Sequence, residues 1–244
     1  MSRTRLDQMV TERGLAESRE KAQRLIMAGC VTVNGRVERK PSHAVPPDAV
    51  VAVVEQERFV SRGGEKLEEA FRHFRLDVAG RVCVDIGAST GGFTDCLLQH
   101  GAARVYAVDV GKGQLHWRLR NDPRVVVMDG VNARYLKPAD LPEAPAFATV
   151  DVAFISLTKI LPAVREVLAG GGGIVSLIKP QFEAGRKEVG RGGVVRDEAV
   201  RARVVEDIRA FGTVELGLEW VGVCPSPLEG PAGNVEFLAC WKKP

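Results

Sequence analysis

The stretch VDIGASTGGFTD, Val84–Asp95, decides the fold. Strand-favouring residues run up to Asp85, and then Gly87, Gly91 and Gly92 crowd a bend ahead of a segment that reads as helical. In an open α/β sheet a glycine-rich bend between a strand and its helix lies at the carboxyl edge, where ligands bind. The bend is no phosphate loop, because it does not end in Gly-Lys-Ser/Thr. It is not the dinucleotide fingerprint GxGxxG either, because the order is GxxxGG with Asp85 two residues ahead of the first glycine.

That carboxylate selects among ligands. A pyrophosphate would be repelled by Asp85, whereas the cationic methionine end of S-adenosylmethionine would be drawn to it. Asp109 ends RVYAVD, 22 positions after Gly87, close to the ~20 expected of a carboxylate that grips ribose hydroxyls. Asp129 ends VVVMD and is placed to accept the adenine amino group. The expected cofactor is therefore S-adenosylmethionine, held by Asp85, Gly87, Ala88, Ser89, Thr90, Gly91, Gly92, Phe93, Asp109 and Asp129.

Outward from the bend, short apolar runs alternate with helical segments. Strands are expected at 82–86, 104–109, 124–128, 147–155 and 173–178, which makes a parallel α/β sheet. A helix near Asp197–Ala210 precedes two further β-rich runs, VELGLEWVGV and NVEFLACW. The fold class is thus α/β. Ahead of it, Leu67, Ala70, Phe71 and Phe74 form an apolar helical stripe with Lys66 at its edge.

Four charges stand out in this unit: Lys66, Asp151 in ATVDVAFIS, Lys179 at the end of GIVSLIK, and Glu236 in NVEFLACW. An ionised group inside a dry sheet costs several kcal/mol unless paired. Two cations and two anions neutralise one another. The chemistry they suit is proton abstraction from an alcohol, for which a lysine, ordinarily titrating near ~10.4, must be oriented or shifted. Lys179 is the expected base, with Lys66 steering the target and lowering its neighbour's proton affinity, and Asp151 and Glu236 orienting the amines.

The first fifty residues form a second, smaller unit. Ser18 suits a helix N-cap ahead of the stripe Ala22, Leu25, Ile26, and Asn34-Gly35 after CVTV signals a hairpin. Arginines and lysines crowd here, although the whole chain of 244 residues has 34 basic against 31 acidic residues and a net charge of only +3. Any polyanion must therefore meet a local patch. The expected boundaries are 1–57 for this unit, a linker at 58–64, and 65–244 for the sheet.

Two resemblances sharpen these readings. RLDQMVTERGLAESREKAQRLIMAGCVTVNG resembles the αL RNA-binding module named after ribosomal protein S-four. By that resemblance Arg3, Arg5, Arg19, Lys21 and Arg24 are candidates for RNA contact, through shape and phosphates. SRGGEKL, DIGASTGGFTD, DVAFISL, LIKPQFEAGR, GRGGVVRD and SPLEGPAGNVEF, in order over nearly the whole chain, resemble the TlyA (haemolysin A-like) family, relatives of the FtsJ/RrmJ enzymes. The resemblance implies a Rossmann-like class I methyltransferase sheet of seven strands with the last hairpin antiparallel. It also implies a Lys-Asp-Lys-Glu tetrad at Lys66, Asp151, Lys179 and Glu236, 2′-O-methylation of cytidines in ribosomal RNA, and S-adenosylmethionine as donor. Phe59 departs from the family, some members of which carry Trp there.

Other classes fare worse. A base N-methyltransferase would carry an Asn/Asp-Pro-Pro-aromatic turn after the fourth strand, where this chain reads DVAFISL. A non-catalytic RNA-binding or assembly protein remains as an alternative, as does the lysis implied by the older family name, though no apolar run reaches the ~18 residues of a membrane helix. Five scattered cysteines argue against a disulfide framework or zinc site and fit a reducing cytoplasm; no metal or membrane is expected. His43, His73, His100 and His116 are expected in surface or helix-end roles, and Trp117, Trp220 and Trp241 in packing rather than base-stacking.

Overall fold

The computed structural model describes residues 3–54 and 58–244. Glu55, Gln56 and Glu57, at the expected junction, lie outside the described residues. The chain divides into two compact units, Met1–Arg58 and Phe59–Pro244.

In the first unit β1 (Thr4–Arg5) leads into helices α1 (Leu6–Glu12) and α2 (Arg19–Ala28), followed by β2 (Val31–Val33), β3 (Arg36–Val37), β4 (Ala44–Val45) and β5 (Val51–Val53). The Ser18 hydroxyl accepts the Lys21 amide at 3.2 Å, and Gly29 ends α2 in the left-handed region at φ 81°. Asn34 and Gly35 both have positive φ, the two-residue turn that fits the twist of a hairpin, and β2 pairs antiparallel with β3 and β5. Leu6, Met9, Val10, Ala22, Ile26 and Val31 make its core.

The second unit opens with α3 (Gly63–Phe74), whose Leu67, Ala70 and Phe71 are buried as the stripe predicts. Phe59 is also buried, so the expected linker at 58–64 instead enters this unit's core and first helical turn. Then follow β6 (Val82–Ile86), α4 (Gly92–Gln99), β7 (Arg104–Asp109), the single turn α5 (Trp117–Arg120), β8 (Val125–Asp129), β9 (Phe147–Val150), α6 (Leu161–Val167), β10 (Gly173–Ile178), the short α7 (Pro180–Glu183), α8 (Glu198–Ala210), β11 (Glu219–Pro225) and β12 (Phe237–Lys242). They form a seven-stranded sheet in the order β11-β12-β10-β9-β6-β7-β8, parallel except for β12, which runs antiparallel to both β10 and β11.

Period-two alternation sends Cys83 into the core on the α3/α4 side and Val84 and Ile86 into the core on the α6/α8 side. Both faces are covered, which is why these strands read as nearly continuous apolar runs. Trp241 is fully buried and donates its indole N–H to Ser176 Oγ at 3.0 Å, but Trp117 is 68% exposed, so only part of the packing expectation for the tryptophans holds.

One strand is shorter than its sequence suggests. β9 stops at Val150, so Asp151 and the residues after it leave the sheet. Asp151 directly follows β9, Lys179 directly follows β10, and Glu236 directly precedes β12. The expectation for Asp151, inside a strand at 147–155, is corrected: it sits one residue beyond the end of β9, as Lys179 sits one beyond β10 and Glu236 one ahead of β12. Because β12 is antiparallel, its start shares an edge with the ends of β9 and β10, as the register Ile178↔Phe237 requires.

Candidate functional site

That shared edge opens into two cavities. The first, of about 310 Å³, is lined by Lys66, Asp151, Lys179 and Glu236 together with Gly87–Thr90 of the bend. The second, of about 480 Å³, takes Asp109, Gln114, Asn132 and Phe154, and shares Gly87, Ser89 and Asp151 with the first. The larger volume falls in the range of ordinary ligand pockets, ~300–1,000 Å³.

The four charges are held as two ion pairs. Lys66 Nζ donates to Glu236 Oε2 at 2.6 Å, bridging 170 residues of sequence, and the Glu236 side chain is only 1% exposed. Gln181 donates to the other oxygen of Glu236 at 3.3 Å. Lys179 Nζ lies 2.6 Å from Asp151 Oδ1, within ion-pair distance but without hydrogen-bond alignment. The side chains of Lys66 and Lys179 are 12% and 13% exposed, so both amines stand at the wall of the first cavity, largely shielded from water.

The bend is shaped by close approach. Gly87, at φ 82°, lies so near the next loop that a Cβ would stand 2.2 Å from the Asp151 carbonyl oxygen. Gly91, at φ 99°, would collide with Leu119, and Gly92 with Ser61 and the Gly64 amide. Gly91 thus serves the packing of α4 against α5, whereas Gly92 packs against the start of α3 and also lines the first cavity, as does Phe93, only 4% exposed. Ala88, Ser89 and Thr90 face the cavities. Ser89 adopts φ 49°, which turns its amide toward Asp109 Oδ2 at 2.7 Å.

The three strand-end acids have three different fates. Asp109 lines the second cavity and accepts from Ser89 N and Gly111 N, both at 2.7 Å. A carboxylate has about four acceptor positions, so two remain for a ligand's hydroxyls. Asp85 is corrected: it is fully buried and lines neither cavity, so its side chain is not placed to touch a methionine end. Alternation carries it, like Cys83, to the side covered by α4, where Thr94 Oγ1 and Thr149 Oγ1 donate to it at 2.7 and 2.8 Å. Burial pushes its carboxyl up to about 6 despite those two donors. Asp129 is corrected as well: it accepts from Arg120 at 2.8 Å and the Gly113 amide at 3.1 Å, and lines neither cavity. The Arg120 guanidinium holds it below the usual carboxylate range.

Several lining residues escape a reading by spacing. Gln114 accepts from Ser89 Oγ at 3.3 Å, Asn132 sits three residues beyond β8, and Ser61 and Arg62 come from ahead of α3. Phe154, 91% exposed at φ 63°, lines the second cavity and meets Phe182 at 5.1 Å between ring centroids. Cys83 is inert, since burial pushes its thiol up to about 12. His100 stacks on Phe71 at 4.0 Å and bonds Glu68 at 2.7 Å.

In the first unit Arg3, Arg5, Arg19, Lys21 and Arg24 are all exposed. Arg5 and Arg19 are tethered at 3.0 and 3.1 Å to Asp7, which is fully buried beneath them and also takes a bond from Gln23 at 2.8 Å. These donors, Arg5 foremost, hold the Asp7 carboxyl well below the usual carboxylate range.

Comparison with known proteins agrees with this division. Residues 59–243 match the FtsJ-like methyltransferases and residues 4–51 match the S4 domain. The 16S/23S rRNA (cytidine-2'-O)-methyltransferase TlyA of Mycobacterium tuberculosis is 50% identical over 238 residues, 97% of this chain and 88% of the relative. Hemolysin A of Brachyspira hyodysenteriae is 46% identical over 236 residues, 96% and 98% of the two chains. A solved structure from Streptococcus thermophilus, described as a hemolysin, superposes with a TM-score of 0.76 at 46% identity, over all of this chain and 89% of that one. With the sheet order, the glycine bend and the paired charges already in place, these likenesses mean that the chain belongs to the FtsJ-like methyltransferase family, among the relatives that carry an S4 domain and include TlyA.

Proposed function

We propose that the protein methylates the ribose 2′-hydroxyl of cytidine in ribosomal RNA, with S-adenosylmethionine as donor. The observation that carries this reading is the convergence of two lysine-carboxylate pairs on one cavity beside the glycine bend. The cofactor fits the donor set: a carboxylate with free acceptor positions at Asp109, a close-packed bend at Gly87, and two cavities that share Gly87, Ser89 and Asp151. When bound, S-adenosylmethionine supplies an electrophilic methyl group on a sulfonium centre.

The chain's own residues then do four things. Asp109 and the 87–90 bend fix the adenosyl end and leave the first cavity to the acceptor ribose. Lys179 Nζ, as the neutral amine, would take the proton of the 2′-hydroxyl and free that oxygen to accept the methyl group, the C–S bond of the bound donor being the one that breaks, and Asp151 fixes where that amine stands. Lys66, held by Glu236, steers the hydroxyl oxygen from the other wall. Shielding by the cavity strengthens each of these charge interactions and keeps competing water away. The first unit supplies the RNA grip, with Lys21 and Arg24 on α2 beside the tethered Arg5 and Arg19 meeting phosphates of a structured RNA. Such a substrate places the protein in the cytoplasm.

A lytic role finds no support in the described residues, where no helix is long and apolar enough to cross a membrane. The direct test uses tritium-labelled S-adenosylmethionine with purified ribosomal subunits, followed by nuclease digestion and mass spectrometry of nucleosides. Label in 2′-O-methylcytidine is expected; label confined to a base, or none with active relatives run in parallel, overturns the proposal.

A further inference from the structure

Two loops deliver the Asp151–Lys179 pair, and something must keep them at one spacing. The loop after β9 carries Asp151 and runs through the strained Phe154 to Ser156; the segment after β10 carries Lys179 and turns through α7. Gly87 pins the first loop at its start, where the Asp151 amide also bonds the Ile86 carbonyl at 2.9 Å. At its far end the loop is held by a side chain that neither the ion pairs nor the cavities include.

That side chain is Glu183, the last residue of α7. Its Oε2 accepts the Ser156 hydroxyl at 2.5 Å and its Oε1 accepts the Leu157 amide at 2.8 Å. Ser156 in turn accepts the Thr158 amide at 3.1 Å, so the carboxylate closes the start of the single 3-10 turn that follows the loop. Phe154 and Phe182, each lying in its own segment's sequence between the ion-pair residue and the clasp residue, meet at 5.1 Å between ring centroids. The two loops are therefore cross-linked twice, by Asp151–Lys179 at one end and by Glu183 to Ser156 and Leu157 at the other. A left-handed φ at a bulky residue such as Phe154 persists only where its surroundings over-determine it.

We propose that Glu183 is a positioning residue for the methyl transfer, a carboxylate clasp that fixes the loop of Asp151 against the loop of Lys179 and so sets where the amine stands. The inference rests on the assignment of Lys179 and Asp151 to the reaction. Geometry is demanding at such a site, where a shift of about 1 Å costs as much as ~10²-fold in rate.

The test compares Glu183→Gln, which keeps an oxygen acceptor for the Leu157 amide, with Glu183→Leu, which keeps the bulk and loses the acceptor. With both substrates saturating, turnover of the Leu variant is expected to fall about 10- to 100-fold and that of the Gln variant to stay within about threefold of the parent, with both melting transitions near that of the parent. A role in packing alone would spare the Leu variant. Equal turnover in the two folded variants overturns the clasp. Should Glu183→Leu not fold, Ser156→Ala removes one bond from the opposite loop; reduced turnover then supports the clasp, and parental turnover refutes it. Lys179→Ala is run alongside: retained turnover there would sink the assignment of the amine, a result separate from failure of the clasp.

Discussion

The carboxyl edge of the sheet has two halves, and they treat charge in opposite ways. On the β6-β7-β8 half, three strand-end acids that look alike in sequence are dispersed: Asp109 into a cavity, Asp85 under α4, Asp129 onto Arg120. On the β9-β10-β12 half, charges from distant sequence positions are gathered around one space, Lys66 joining them from α3. Proximity to a strand end says only which edge a residue occupies. Side-chain direction comes from alternation along the strand and from what covers that face.

The largest effect that would break the contrast is chemical. Lys179→Ala should lower turnover by about 10³-fold, at the scale of a lost general base, with S-adenosylmethionine affinity by titration calorimetry within about threefold. Turnover near the parental value would reduce the gathered charges to a structural network.

Asp85 offers a test on the other half. Its folded-state value of about 6 stands above its ordinary 3.8, so between pH 4 and 6 the folded chain keeps a proton that the unfolded chain has lost. Stability from this group is present at the low end of that window and is lost as pH rises through it, by up to about 3 kcal/mol. Asp85→Asn should flatten that part of the denaturation-versus-pH curve. An unchanged slope would mean that Asp85 is ionised throughout and faces water.

A matched pair sharpens the comparison further. Asp109→Ala should weaken S-adenosylmethionine binding by about 10- to 100-fold, as the loss of charge-assisted hydrogen bonds implies. Asp129→Ala should change it by less than about twofold. Equal losses would restore the symmetry that the cavities deny. Smallest of all, Lys21→Ala on α2 should weaken RNA binding only a few-fold and reduce the salt dependence by about one phosphate contact.

Much of this was legible in the chain. Apolar runs marked the strands because both sheet faces are covered, and Asn34-Gly35 and Ser18 marked turns and caps because their backbone chemistry is local. The glycine bend was readable for the same reason. ATVDVAFIS was misread as one strand because Val152, Phe154 and Ile155 are apolar, yet the backbone turns out at Asp151 and leaves Phe154 in solvent. Glu183, Gln114 and Asn132 carried no spacing signal, since their partners come from other loops and only the folded sheet brings them together. The Asp7 hub under Arg5 and Arg19 was hidden likewise, its farthest partner, Gln23, lying 16 positions away in sequence.

The antiparallel course of β12 has a consequence for how the enzyme comes into being. Lys66 sits on the first helix of its unit and Glu236 at the threshold of the last strand, so their bond closes a circuit through the whole domain. Such long-range closures come late and slowly in assembly, after local helices and neighbouring strands have formed. If that pair serves the proposed reaction, a molecule clipped ahead of β12 is expected to show no methyl transfer, so that turnover would report the seating of the last strand.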